Sequence, residues 1–154
     1  MTTLELMDHL AEYLKECIQE YKAESKTGRI PVEVYAGYPP VMTGAAEMPS
    51  FVYALVTEWQ DADAPNYSSA KVEIGFSIQD QNPVEGWKSL FNLMEHVRQA
   101  LCKKRTLAGR NRLVFPVKGE ITDDQPFPQW QGKITAGYTL GQPVEEEINY
   151  EEEW

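Results

Sequence analysis

Alternating apolar and polar positions mark one clear strand near the middle of the chain. Between positions 71 and 79 every second residue is apolar, which is the period-two pattern of a strand with one buried face; the apolar members are Val72, Ile74, Phe76 and Ile78. The residues between them are polar or small, so the opposite face is predicted to be solvated. This strand lies in the segment 70–107, the most regular stretch of the sequence.

A helix is predicted directly after this strand. Asn82 can serve as the N-cap, Pro83 suits the first helical position, and Glu85 can complete a capping box. The apolar residues that follow recur at steps of three and four and form one stripe along a helix: Trp87, Leu90, Phe91, Met94, Val97 and Leu101. Because that stripe can cover the buried face of the strand, the segment predicts a two-layer α+β scaffold.

Another amphipathic helix is predicted at the start of the sequence, running to about Glu24. Thr2 and Glu5 can form a capping box, while Gly28 and Pro31 are suited to ending the helix. Its apolar stripe is predicted to consist of Met7, Leu10, Leu14, Cys17 and Tyr21, widened by Leu4, Ala11 and Ile18.

The segment 51–59 is predicted to be a central strand because it is apolar on both faces. Val52, Ala54 and Val56 share one face, and the other carries Phe51, Tyr53, Leu55 and Trp59. With the strand at 71–79 it is predicted to form a long-looped antiparallel hairpin. Three further segments have strand composition: 31–36, 112–117 with an extension over 119–122, and 133–140. Pro116 indicates an edge strand or a bulge.

The predicted fold class is α+β, with a mixed, mostly antiparallel sheet of about five strands packed on two helices in the order α-β-β-β-α-β-β. At 154 residues the chain has the length of one domain. We predict one domain over 1–142 and an acidic C-terminal tail over 143–154. The tail has six glutamates and little to bury, so we expect it to be mobile in isolation.

The net charge of −10 argues against non-specific binding to nucleic acid or to anionic membranes, because both require positive charge.

Cys17 and Cys102 have no metal-binding or redox spacing and are interpreted as buried free thiols. No run of about 18 apolar residues occurs, and the N-terminus is acidic and amphipathic, unlike a signal peptide. The sequence therefore predicts a protein that is cytoplasmic at least when it is made.

No catalytic signature occurs in the sequence, and we expect neither an enzyme nor a cofactor or metal site. His9 beside Asp8 and His96 beside Glu95 could be regarded as acid–base pairs. Neighbours in a helix point about 100° apart, however, so these side chains do not face each other. Both histidines are interpreted as solvated or partly packed helix residues.

Two features favour contacts with other proteins. One is a basic cluster of Lys103, Lys104, Arg105, Arg110 and Arg112. It either compensates the dipole at a helix C-terminus or binds an acidic partner surface, such as the acidic tail of a neighbouring copy.

The other feature is a set of aromatic residues outside the helical stripes: Tyr35, Tyr38, Tyr53, Trp59, Tyr67, Phe127 and Trp130. Such residues either pack under the edge of the domain or form an interface. Function is predicted in the loops at 37–50 and 60–69 and in the QPFPQW segment, 125–130.

The order of elements resembles the tail terminator (minor tail) proteins of long-tailed siphophages and prophages. The likeness covers about residues 3–142 and is carried by four segments: GYPP at 37–40, KVEIGFSIQD at 71–80, GWKSLFNLMEHVRQAL at 86–101 and ITDDQPFPQWQGKITAGYTL at 121–140. In the last segment an acidic residue and Gln precede Pro, an aromatic residue and Pro, followed by another aromatic residue before the closing strand. The acidic tail lies outside this resemblance.

The resemblance implies a structural virion protein without catalytic residues. Such proteins form a ring, usually of six subunits, on the head-proximal end of the tail tube, where they stop tube polymerisation and present a surface to the neck. The implied partners are other copies of the chain, the tail tube protein and a head-neck connector protein, with assembly in the host cytoplasm. The candidate contact residues are Tyr38, Trp59, Tyr67, Lys103, Lys104, Arg105, Arg110, Arg112, Phe127 and Trp130. The alternatives are a head-tail neck adaptor and an acidic cytoplasmic assembly chaperone or adaptor.

Overall fold

The computed structural model describes residues 2–24, 31–40, 49–63, 68–142 and 146. These residues form two helices and six strands, in an order that agrees with the prediction apart from a two-residue strand after the second helix. The elements are α1 (Thr3–Glu24), β1 (Val32–Ala36), β2 (Ser50–Gln60), β3 (Ser69–Gln79), α2 (Trp87–Lys103), β4 (Thr106–Leu107), β5 (Asn111–Ile121) and β6 (Gln129–Thr139). The predicted α+β class is confirmed.

The six strands form one mixed sheet in the order β1-β2-β3-β6-β5-β4. β1 and β2 are parallel, and every other pair is antiparallel. Both helices pack on one face of the sheet, where their apolar stripes meet alternate residues of β2, β3 and β6 in a single core. The opposite face, called the outer face below, has no helix of the described chain against it. Neither α1 nor α2 is long and apolar enough to cross a membrane.

The predicted hairpin of β2 and β3 is present, and the four apolar residues chosen for β3 are all buried. The predicted alternation in β2 holds for Val52 and Ala54, which lie in the core. It is wrong for Trp59, because a bulge between Val56 and Glu58 shifts the register and places Trp59 opposite Ala70.

The prediction of a solvated outer face on β3 is only partly correct. Ser77 is buried, and its hydroxyl donates to Gln129 Oε1 at 2.9 Å. Gly75 lies under the ring of Tyr53, its direct cross-strand neighbour. Polar side chains on this face therefore bond to one another as well as to solvent.

In α1 the predicted cap is present, since Thr2 Oγ1 accepts a hydrogen bond from the Glu5 amide at 3.1 Å. The prediction that Leu4 belongs to the apolar stripe is wrong, because this residue is 69% exposed. Leu6 is fully buried instead, since it lies one turn before Leu10 on the same side of the helix. The rest of the buried stripe agrees with the prediction at Leu10, Ala11, Leu14, Cys17 and Ile18.

The predicted capping box of α2 is wrong, because the regular helix begins at Trp87, its N-cap is Gly86 and no side chain caps it. The Asn82 amide donates to Asp80 and not to Glu85. Asn82 Oδ1 accepts hydrogen bonds from the amides of Val84 and Glu85, both at 3.0 Å, and so caps a turn that leads into the helix. The next bonds join Lys88 to Glu85 and Ser89 to Gly86, one residue closer than in an α-helix. This tighter turn delays the regular helix.

The predicted stripe of α2 is wrong at both of its aromatic residues. Trp87 is 43% exposed and Phe91 is 47% exposed, whereas Leu93, which was not predicted, is buried. At about 100° per residue Leu93 lies on the flank of Leu90 opposite to Phe91, and the sheet covers that flank. The two aromatic rings contact each other edge to face, with 5.4 Å between their centroids.

The C-terminal strands agree with the pattern except at their boundaries. The bulge predicted from Pro116 is present as a register shift between Val114 and Lys118 of β5. β6 begins at Gln129, four residues before the predicted strand, so the last two residues of the QPFPQW segment enter the sheet.

Candidate functional site

Two surfaces at opposite ends of the sheet carry the exposed apolar and charged side chains that can contact a partner. β3 and β6 are both 11 residues long and pair along their whole length, from Ser69 with Thr139 to Gln79 with Gln129. At about 3.3 Å per residue, the two ends of this ribbon lie about 33 Å apart. We call the end that contains the β4–β5 turn the basic end, and the end where α2 begins the acidic end.

The basic end contains the predicted basic cluster, and all five of its side chains are exposed. Lys103 ends α2, while Arg110 and Arg112 flank the start of β5. Lys104 lies 4.9 Å from the ring centroid of Tyr13, and the Arg105 guanidinium lies 4.9 Å from that of Phe115. Within the described residues no carboxylate lies within ion-pair distance of this cluster.

The helix-dipole interpretation of this cluster is supported for Lys103, which lies in the last turn of α2, and for Arg105. Arg105 Nε donates to the carbonyl oxygen of Cys102 at 2.9 Å, in the last turn of α2. Arg110 and Arg112 lie beyond β4, too far along the chain to serve the last turn in this way. The two interpretations therefore apply to different residues of the same cluster.

An apolar surface adjoins the basic cluster. Trp59 is 63% exposed and Phe115 is 50% exposed, and Val114 is exposed beside them. Val114 and Phe115 border a groove of about 500 Å³ on the outer face. Charged residues of both signs also line it: Glu58, Lys71, Lys118, Glu120 and Lys133. The basic end thus offers aromatic and aliphatic area beside the basic cluster, and the carboxylates of Glu58, Asp61 and Asp63 are also exposed at this end.

The acidic end combines carboxylates with a separate apolar surface. Glu85, Asp123 and Asp124 are exposed there, and Asp80 is half-buried. Asp80 is structural, because its carboxylate accepts hydrogen bonds from the Asn82 amide at 2.9 Å and from the Ser89 hydroxyl at 2.7 Å. The exposed apolar side chains at this end are Val84, Trp87, Phe91, Ile121 and Phe127.

The QPFPQW segment is fixed rigidly into the acidic end. Trp130 Nε1 donates to the carbonyl oxygen of Asp80 at 3.1 Å, and its indole covers Gly86, where an added Cβ would lie 2.5 Å from Nε1. Phe127 contacts Trp130 edge to face, with 6.1 Å between ring centroids, but remains half exposed. Trp130 therefore has a structural role, and Phe127 is the residue of this pair that can contact a partner.

An apolar groove of about 230 Å³ separates α2 from the second half of β5, level with the middle of β6. Phe91, Met94, Val117, Ile121 and Ile134 line it. The ion pair of Glu95 and Arg98 borders it, with Arg98 Nε 2.8 Å from Glu95 Oε2. The Glu95 carboxylate accepts hydrogen bonds from Arg98 and Gln99 and so faces away from a pairing with His96. These bonds lower the pKa of Glu95 to about 2.

The outer face is concave, because residues of β2 and β5 line one groove although β3 and β6 lie between them. Its centre is a polar network. The Tyr53 hydroxyl donates to Glu73 Oε2 at 2.7 Å, and Lys133 Nζ lies 3.5 Å from Glu73 and 3.6 Å from Glu120. Burial and the hydrogen bond to Glu73 raise the pKa of Tyr53, so its phenol stays protonated at neutral pH and is not a general base.

His96 and Cys17 lie where α1 and α2 contact each other. His96 Nε2 is 2.9 Å from the carbonyl oxygen of Cys17, and its ring contacts Tyr21. Both cysteines are free thiols; Cys17 is buried and Cys102 is half-buried. Burial raises the pKa of the Cys17 thiol, which makes it a poor nucleophile. Among the described residues no three His, Cys, Asp or Glu side chains are grouped so as to hold a metal ion.

The structure brings some of the predicted contact residues together and separates others. Trp59 joins the basic cluster, Phe127 and Trp130 lie at the opposite end, and Tyr38 is exposed just after β1. Tyr67, residues 41–48 and 64–67 of the two predicted loops, and the tail apart from Glu146 lie outside the described residues. Sequence reasoning missed Trp87, Phe91 and Phe115. Helical geometry could have identified the first two, since Leu90, Met94, Val97 and Leu101 already form a complete stripe and both aromatics lie to one side of it.

No protein-family model matches the chain, and no curated protein matches its sequence. Among solved structures it is similar to a chain that carries only a sequence label, at 13% identity over 90% of this chain and 97% of that chain, with a TM-score of 0.44. It is also similar to a chain from the virion of a native gene transfer agent (GTA) particle, at 14% identity over 81% of this chain and 90% of that chain, with a TM-score of 0.35. Function must therefore be inferred from the residues of this chain.

Proposed function

We propose that this chain is a structural protein of a phage-type particle and acts as a tail terminator. Several copies, six by the resemblance of the sequence, form a ring on the head-proximal end of the tail tube. The ring stops tube polymerisation and provides the surface to which the head-neck proteins attach. The chain works through contacts with other proteins and performs no catalysis.

The observation that carries this proposal is the presence of two unlike contact surfaces at opposite ends of one sheet. Closed rings are built from heterologous contacts, in which each copy uses two different patches. Here Trp59 and Phe115 lie beside positive charge at one end, and Trp87, Phe91 and Phe127 lie beside negative charge at the other. Aromatic residues are enriched at protein interfaces relative to the rest of the surface.

The segments that resemble tail terminators contribute directly to these surfaces. The ITDDQPFPQW part supplies Asp123, Asp124 and Phe127 to the acidic end, and the GWKSLF part supplies Trp87 and Phe91. The resemblance therefore falls on exposed contact residues as well as on core positions. This favours assembly, rather than a soluble chaperone that acts alone.

Capping follows from the asymmetry of such a ring. One ring face binds the last ring of tube subunits. The other face lacks the surface to which a further tube subunit would bind. Because the ring makes its contacts simultaneously, weak individual contacts give tight binding to a tube end and little binding to a single tube subunit.

The proposal is tested by adding the purified protein to tail tube protein from the same particle during polymerisation. We expect shorter tubes with the protein at one end only, measured as tube-length distributions by negative-stain electron microscopy. Unimpeded elongation with no protein at the tube ends would contradict the proposal. A neck adaptor would leave bare tubes unbound and would bind only after the portal-side complex is added.

A further inference from the structure

We infer that the basic end of one copy binds the acidic end of a second copy. This inference deepens the proposed function, on which it rests, by naming the two surfaces that form the contact between neighbouring subunits. It commits to a second copy of this chain as the partner of both ends. The tail tube protein and the neck proteins then bind other surfaces.

Charge complementarity is the first argument. Arg110 and Arg112 extend from the start of β5 with no ion-pair partner among the described residues, and Asp123 and Asp124 are likewise exposed and unpaired within the described chain after the end of β5. The two sets lie about 33 Å apart in one copy, whereas charges at 0.1 M salt are screened over about 10 Å. They cannot neutralise each other within a copy. A second copy can bring them into contact.

Apolar complementarity is the second argument. The basic end presents Phe115, half exposed and held from one side by Arg105. The groove between α2 and β5 adjoins the acidic end through Phe91 and Ile121, whose side chains are partly exposed at its rim. An exposed aromatic side chain on one copy and an apolar groove on the next have the relationship of anchor and pocket found at the centre of many interfaces.

The contact joins two unlike surfaces, and this determines which type of oligomer can form. In a pair joined basic end to acidic end, each copy still has one unused end of the opposite kind. Further copies therefore add until the rotation between neighbours closes a ring. A two-fold contact made through one kind of end alone would instead bring like charges together, which is repulsive.

Charge reversal tests the contact. The basic-end variant carries Arg110→Glu with Arg112→Glu, and the acidic-end variant carries Asp123→Lys with Asp124→Lys. All four side chains are exposed, and the bond from the Arg112 amide to Thr139 Oγ1 uses backbone and is retained. We expect each variant to weaken self-association about tenfold or more, measured by sedimentation equilibrium, because both place like charges across the contact.

The combined variant with all four substitutions is the decisive one. It restores opposite charges across the contact, so we expect it to assemble with itself as the wild type does. We also expect it to stay out of mixed assemblies with the wild type in native mass spectrometry. Glu16→Lys with Glu20→Lys is the matched control, because both residues are exposed on α1 away from the two ends. It should assemble normally.

Three results would overturn the inference: a wild-type chain that stays monomeric at every concentration, a reversed variant that assembles normally, or a folded combined variant that fails to assemble. Failure of the proposed function is distinguishable. If charge reversal and its rescue behave as expected but tubes elongate freely, the contact stands and the terminator proposal fails. If tubes are capped while charge reversal has no effect on assembly, the terminator proposal stands and this contact is wrong.

Discussion

At the scale of single residues, the outer face depends on one cross-strand pair in which an aromatic ring covers a glycine. Tyr53 lies directly opposite Gly75, and an added Cβ on Gly75 would lie within van der Waals radii of the ring. The ring cannot move aside freely, because its hydroxyl donates to Glu73. The absence of a side chain at Gly75 therefore lets the Tyr53 ring pack on the strand, although a glycine in a strand is usually unfavourable.

We predict that Gly75→Ala destabilises the fold by about 1–3 kcal/mol, the usual cost of overpacking. The measurement is the free energy of unfolding in urea. Gly119→Ala is the matched control, because Gly119 also lies in a strand but has open space where a Cβ would be added. Equal stability of the two variants would show that the Tyr53 ring does not constrain this position.

A second residue-scale feature is the buried phenol of Tyr138. Its hydroxyl has no hydrogen-bond partner among the described residues, and burial raises its pKa. Burial disfavours the charged phenolate in the folded state, while the unfolded chain ionises near the ordinary pKa of 10.0. The contribution of Tyr138 to stability is therefore complete below pH 10 and falls as the pH rises above it.

We predict that Tyr138→Phe is at least as stable as the wild type at pH 7, because it removes an unpaired buried hydroxyl. Above pH 10 the variant should lose less stability than the wild type, by up to about 1.4 kcal/mol per pH unit. Urea unfolding at pH 7 and at pH 10.5 measures both. If the free energy of unfolding falls equally in the two proteins between pH 7 and pH 10.5, this account is contradicted.

At the scale of elements, the start of α2 shows which features local sequence determines. Asn82 was identified as a cap from sequence because the bonds of its side chain reach only two and three residues along the chain. The same reasoning failed at Trp87 and Phe91. Which flank of an amphipathic helix is covered depends on the sheet beneath it, and the positions of β5 and β6 are set by residues far away in sequence. The wrong prediction for Leu4 and the burial of Leu6 in α1 have the same cause, because the sheet also determines which side of α1 is covered.

The cap gives an element-scale prediction. Asn82→Ala removes the acceptor for two amides and should cost about 1 kcal/mol in the free energy of unfolding. Asn92→Ala is the control, because Asn92 is exposed in the interior of α2, where alanine is the better helix former. If both variants have the stability of the wild type, the turn before α2 does not depend on Asn82.

At the scale of the whole molecule, one phenylalanine contributes to the core and another to a surface that can bind a partner. Phe76 lies in the core, and Phe91 is half exposed at the rim of the α2–β5 groove. We predict that Phe76→Ala costs about 3–5 kcal/mol in stability. Phe91→Ala should cost about 1 kcal/mol or less but weaken self-association. Thermal unfolding and sedimentation equilibrium separate the two effects, and full self-association of Phe91→Ala would contradict the role given to the groove.

The two ends of the molecule could not be predicted from sequence, for a physical reason. The basic cluster was visible because its five residues are close in the chain. Trp59 and Phe115 lie far apart in sequence and reach the same end of the sheet only because β2, β3, β6 and β5 pair in that order. Likewise, Phe127 comes near the start of α2 only through the contact of Trp130 with Gly86. Sequence predicted the scaffold and some contact residues, but long-range pairing decided which of them share a surface.

The central claim is that copies of this chain join through unlike ends and close into a ring. Native mass spectrometry of the full chain over a range of concentrations tests it most directly. We predict one closed assembly, of six copies by the resemblance, whose size does not increase further with concentration. A chain that remains a monomer or stops at a dimer at every concentration would contradict the claim.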